Sequence, residues 1–112
     1  DIFQRFISLV NTYSKTERNV SFYADKLCVT SDYLSKVVRE YDGQSAAKWI
    51  INAVITEAKI LLREPDKKTI NQIAIELNFP DQSTFGKFFK RNTGLSPLEY
   101  KKGEKTTNGV RI

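Results

Sequence analysis

The chain has 112 residues, room for one compact domain and too few for two ordinary ones, and at 40% hydrophobic and 28% charged it encodes a folded core rather than a disordered segment. Its formal net charge of +5 is a weak pointer to a polyanionic partner. With no histidine and one cysteine, Cys28, the chain cannot build within itself a Cys/His metal site, a histidine-based triad or an internal disulfide; no metal or cofactor is expected, and the lone thiol suits a reducing, cytoplasmic setting.

Phe3, Phe6, Ile7 and Val10 recur at i, i+3, i+4 and i+7 and predict an amphipathic first helix, followed by a polar connection over Asn11 to Asn19. Val20, Tyr23, Ala24 and Leu27 repeat the spacing, and Cys28-Val29-Thr30 interrupts it. Ser31 is the expected N-cap of a third helix whose apolar face is Leu34, Val37, Val38 and Tyr41, with Gly43 as its left-handed stop. Ser45 caps the longest predicted helix, through Trp49, Ala53, Ala58, Leu61 and Leu62 to Arg63, with Pro65 ending it. That helix should be roughly 27 Å long, and its apolar residues on more than one face predict burial between other elements.

Thr69 and Gln72 form a capping-box pattern ahead of Ile70, Ile73, Ala74 and Leu77. After the break at Asn78-Phe79-Pro80, Asp81 caps a helix with Phe85, Phe88 and Phe89 on its core side, stopped by Gly94. Ser96-Pro97-Leu98-Glu99 opens a short last helix with a second capping box and Pro at its first position. The expected fold is all-α, about seven helices, with two helix-turn-helix subdomains and a long linker helix. The double unit occupies residues 1–102 (first unit near 3–44, linker near 45–63, second near 69–102), and 103–112 is expected to be a flexible tail. The start lacks both an initiating Met and a signal-peptide pattern, which reads as a piece of a longer protein, and no apolar run could span a bilayer.

The two units repeat in sequence. Val20, Tyr23, Ala24 and Leu27 match Ile70, Ile73, Ala74 and Leu77 at an offset of 50. Leu34, Lys36, Val37, Val38, Gly43, Ser45 and Trp49 match Phe85, Lys87, Phe88, Phe89, Gly94, Ser96 and Tyr100 at an offset of 51, so the second turn is one residue longer. Amphipathic spacing alone would match apolar residues; it would not also match the Ala, Lys, Gly and Ser in register.

Opposite the core positions, the second helix of the first unit carries the stripe Asp32, Ser35, Lys36 and Arg39. Its counterpart in the second unit is Ser83, Gly86, Lys87 and Lys90. Small polar residues mixed with lone cations suit close approach to the major groove, where Lys and Arg meet phosphates and guanine edges. Gln82 can pair with adenine. The linker length is of the order of the roughly 34 Å between successive major-groove faces. Glu40, Glu57, Glu64 and Glu76 are scattered over solvent faces and no phosphate-binding glycine loop exists, so no enzyme is expected.

The stretch from Ile73-Ala74 through Asn78-Phe79, Ser83, Phe85, Phe89-Lys90, Gly94 and Ser96-Pro97 to Tyr100 resembles the signature of the AraC/XylS family of transcription regulators. Ala24 to Leu27, Tyr33 to Lys36 and Gly43-Gln44-Ser45 resemble the family's first unit, and Ala58 to Leu62 its linker helix, so the resemblance covers about 3–102. It implies seven helices, no enzymatic activity, and two recognition helices in successive major grooves of double-stranded DNA.

Carried over by position, Asp32, Ser35 and Lys36 in the first unit and Gln82, Ser83, Thr84 and Lys87 in the second are base-reading candidates. Tyr33, Arg39, Lys90 and Arg91 are candidates for backbone contact. The resemblance also implies an N-terminal effector-sensing domain elsewhere in the full-length protein, contact with RNA polymerase there, action as an activator, and a monomeric fragment.

The sequence departs from the family where Asn78 replaces a turn glycine, Val54 replaces a basic residue, Asp32 is acidic on a groove-facing position, and Gly86 leaves a bare spot. A helical protein-interaction module is the alternative function. RNA binding is disfavoured because most aromatics sit at core spacing rather than on an exposed platform.

Overall fold

The computed structural model describes residues 1–64 and 68–103. Among them are seven helices and no strand: α1 (Ile2–Tyr13), α2 (Val20–Lys26), α3 (Ser31–Asp42), α4 (Ala46–Arg63), α5 (Ile70–Glu76), α6 (Gln82–Thr93) and α7 (Pro97–Lys101). The expected helix stop at Pro65 and nearly all of the expected tail lie outside the described residues. The chain divides into two compact units, Asp1–Val54 and Ile55–Ile112.

In the first unit, Phe6 and Val10 of α1, Tyr23, Ala24 and Leu27 of the α2 segment, Leu34 and Val38 of α3, and Ala46, Ile50 and Val54 of α4 are buried. The Phe6 and Tyr23 rings meet edge to face at 5.8 Å. The Tyr23 hydroxyl donates to the Glu17 carbonyl at 2.7 Å, so the buried phenol is satisfied. Burial, with the Glu17 charge second, pushes its pKa up to about 12.

The structure shifts two sequence expectations here. Thr30, not Ser31, is the N-cap of α3, its hydroxyl accepting from the Tyr33 N–H. Tyr41 is 61% exposed rather than core. It lies in the last turn of α3, where its ring stacks on Phe3 at 4.7 Å and its hydroxyl donates to Asp1 Oδ2 at 3.0 Å.

The second unit has the same build. Ile55, Ala58, Leu61 and Leu62 of α4 are buried in it, as are Ile73, Ala74 and Leu77, then Phe79, Phe85, Phe89 and Leu95. Helix α4 thus supplies buried residues to each unit in turn, which is why its apolar positions do not confine themselves to one stripe. Phe79, which the sequence placed only in a break, is buried and touches Phe85 at 5.3 Å and Phe88 at 5.1 Å. Phe88, expected in the core, is only partly buried. A helix exposes about one side chain in two, and Phe85 and Phe89, one turn apart, already occupy the inward stripe.

The two helix-turn-helix corners match bond for bond. After α2, the Cys28 N–H donates to the Asp25 carbonyl and the Val29 N–H to the Ala24 carbonyl. After α5, the Asn78 N–H donates to Ile75 and the Phe79 N–H to Ala74. This is the Schellman pattern, and it requires a left-handed residue at its corner. Cys28 (φ 59°) and Asn78 (φ 64°) fill that role, so the substitution of Asn for glycine leaves the turn intact. The extra residue in the second turn is Pro80, between the Phe79 amide and the α6 cap.

Cys28 carries a Cβ in a left-handed conformation, a strain of about 1–2 kcal/mol, and its side chain is exposed. Cys28→Gly is therefore expected to stabilise the protein by about 0.5–1 kcal/mol, and Cys28→Val, β-branched, to destabilise it. Paired thermal melts check the order; a glycine variant that melts below the valine variant would refute the strain.

Candidate nucleic-acid interface

Each second helix is held at both ends by its own local chemistry. The Asp81 carboxylate accepts from the Thr84 N–H at 2.7 Å and starts α6 as Thr30 starts α3. Gly43 (φ 79°) and Gly94 (φ 87°) close the two helices in left-handed caps whose N–H groups donate to Arg39 and Lys90. Ser45 Oγ accepts from the Lys48 N–H and Ser96 Oγ from the Glu99 N–H, both at 3.1 Å, so the helix that follows is nucleated at the same distance each time. The inward pairs Leu34/Val38 and Phe85/Phe89 are fully buried, which fixes the rotation of each helix and hence which stripe it turns to solvent.

On α3 that stripe brings together Asp32, Ser35, Lys36 and Arg39, which line one open groove with Glu40. Asp32, Lys36 and Arg39 are exposed and Ser35 partly so; Tyr33 is half exposed and lies outside the groove. On α6, Gln82, Ser83, Thr84, Lys87, Lys90 and Arg91 are all exposed. Gln82 lies apart from the cations, in a cleft with Gly86 and the start of α7. Sequence reasoning placed Glu40 among scattered solvent carboxylates; its spacing four residues beyond Lys36 is the signal that it shares the groove.

The two faces differ electrostatically. Helix α3 holds two cations and three acids, net −1, whereas α6 holds three cations and no acid, net +3. The units follow suit. Residues 1–54 carry seven cations and six acids, and residues 55–112 eleven and seven, so the second unit holds +4 of the +5.

The Asp81 carboxyl is held below its ordinary 3.8 by the hydrogen bonds from Thr84, with the Lys87 charge adding to them. Glu99 is held below its ordinary 4.5 by the Ser96 N–H, with Lys90 adding. Both folded pKa values are depressed, so these caps contribute stability that is fully present above the ordinary values and is lost as pH falls through the folded ones. Denaturation midpoints should fall between about pH 5 and about pH 3. Asp81→Asn, which still accepts but does not titrate, should flatten that fall, and an unchanged acid limb would remove Asp81 from the account.

The sequence profile of a helix-turn-helix domain matches residues 23–103, spanning both corners and both second helices. The arabinose operon regulatory protein of Escherichia coli (strain K12) is 30% identical over 95 residues, 84% of this chain and 32% of that protein. The chain thus spans about a third of the length of the arabinose regulators it matches.

Among solved structures, the C-terminal domain of AraT, a response regulator from Geobacillus stearothermophilus, superposes with a TM-score of 0.83 at 22% identity, covering 98% of this chain and 91% of that one. The DNA-binding domain of AdpA, solved in complex with a target DNA, superposes with a TM-score of 0.78 at 18% identity, covering 92% of each. These two likenesses establish the fold. The profile match and the arabinose regulator's identity, together with two corners built on the same bonds, establish more: the chain belongs to the AraC/XylS family of DNA-binding transcription regulators.

Proposed function

We propose that this chain reads double-stranded DNA in a sequence-specific way, with α3 and α6 entering successive major grooves. The observation that carries this is the doubled geometry: twice, a helix fixed by an inward pair and closed by matching caps turns a polar, cation-bearing stripe to solvent. Such a helix fits the roughly 12 Å width of the major groove. Asp32, Ser35 and Lys36 on α3 and Gln82, Ser83, Thr84 and Lys87 on α6 face base edges; Tyr33, Arg39, Lys90 and Arg91 meet the backbone. Asp32 accepts from a cytosine N4 amino group, the one major-groove partner an acid finds readily. On the same reading the regulator acts in the cytoplasm as an activator that contacts RNA polymerase, and this domain on its own is a monomer.

The charge imbalance divides the labour. Helix α6, at net +3, supplies most of the attraction to phosphate besides its base contacts, and α3, near neutral, contributes selectivity with little non-specific attraction. Duplexes selected from a random library and titrated by fluorescence anisotropy test this. Affinity should fall steeply with salt, with a slope of about −0.9 per phosphate neutralised. Removing Lys90 and Arg91 together should flatten the slope by about 2 and removing Arg39 by about 1. Salt-independent affinity, or no duplex selected, would overturn the reading.

A further inference from the structure

The middle of α6 holds a residue that the fold does not ask for. Gly86 is helical, and glycine is the poorest helix former after proline. Packing gives no reason for it: among the described residues, a Cβ there would meet only the Cδ of Pro97, at 3.9 Å, an ordinary contact. Alanine would fit and would favour the helix.

Gly86 lines a cleft of about 200 Å³ together with Gln82, Ile70, Ser96, Pro97 and Leu98. Its floor is apolar, and Leu98 leaves half its surface in solvent. Ser83, Lys87 and Lys90 are exposed on the same helix at positions that share the Gly86 face by helical spacing, and Gln82 stands one helical turn before Gly86 on the same side. In the first unit the matching position is Ser35, which lines the α3 groove.

We infer that the gap at Gly86 is a specificity element of the second recognition helix, built to receive the 5-methyl group of a thymine. The inference rests on the DNA-reading function proposed above. The thymine methyl is the one apolar group that base pairs project into the major groove, so an apolar recess beside a reading face has a single natural occupant there. Gln82 adds the complementary half of the readout. Its amide pairs with adenine N6 and N7, so side by side the two positions select A·T pairs of defined orientation. A Cβ at position 86 stands at the wall of the recess, 3.9 Å from the Pro97 Cδ, and takes the space against the helix backbone that the methyl would use.

The test is a cycle between protein and DNA, on the duplex selected by the unaltered chain. Each thymine is replaced in turn by deoxyuridine, which removes only the methyl, and affinity is measured for the chain and for Gly86→Ala. One thymine should show a loss of about 3–10-fold with the unaltered chain. Gly86→Ala should bind the thymine duplex about 5–10-fold more weakly and no longer tell thymine from uracil at that position. Its melting temperature should rise by a few degrees, about 3–6 °C, which shows that the lost affinity is not lost folding. A deoxyuridine penalty of the same size in both proteins, or no sensitive thymine in a duplex that is otherwise selectively bound, overturns this inference alone. Failure to select any duplex overturns it together with the function it rests on.

Discussion

Phe89→Ala is expected to remove most of the stability of the second unit, a loss of about 3–5 kcal/mol. Phe89 is fully buried, with the Phe85 ring at 5.8 Å and the Tyr100 ring edge-on at 5.6 Å. Truncation to a methyl group gives up the ring's transfer energy and leaves a cavity that rigid helices cannot close. In units of this size each kcal/mol moves the melting temperature by about 4–8 °C, so a fall of tens of degrees is expected. Phe88→Ala is the control. Its ring is partly exposed and meets Phe79, so about 1–2 kcal/mol is expected. Circular-dichroism melts separate the two, and equal losses would refute the inward stripe assigned to α6. The only tryptophan, Trp49, lies in the first unit, so its fluorescence reports whether the damage stays in the second.

Lys87→Ala should leave the fold intact and weaken specific DNA binding by about 1–3 kcal/mol, roughly 5–150-fold. The side chain is exposed on α6, opposite the Phe85/Phe89 stripe, so its removal opens no cavity and the melt should shift by no more than about 0.5 kcal/mol. Lys36→Ala on α3 is expected to behave in the same way, since Lys36 occupies the same position in the first unit. If the lysine reads a base, the variant relaxes preference at one base pair; if it meets phosphate, affinity drops evenly across sequences and the salt slope falls by about 1. Parent-like binding by both variants would show that these stripes do not face DNA.

The two predictions divide α6 between folding and function. The residues whose loss damages the fold, Phe85 and Phe89, are those that aim Lys87 outward. This arrangement lets the solvent face vary, as it does between Ser35 and Gly86, while caps and inward pairs stay matched in both units.

Much of this was legible in the amino-acid order. Helices are local: spacing, caps and stops such as Thr69, Asp81, Gly43 and Gly94 act within a few residues, so the element order and the doubled corner could be read from the chain alone. The offset that changes from 50 to 51 located the longer second turn, and family likeness supplied the candidate DNA contacts. Tertiary structure decided what spacing leaves open. Period 3.6 defines an apolar face, but neighbouring helices determine how much of that face is covered. Tyr41 and Phe88 therefore lie partly or wholly outside the core that their spacing suggested, and Phe79, in a turn without periodicity, lies inside it. The left-handed strain at Cys28 and the recess over Gly86 likewise depend on what surrounds a backbone atom in space, which no window along the chain contains.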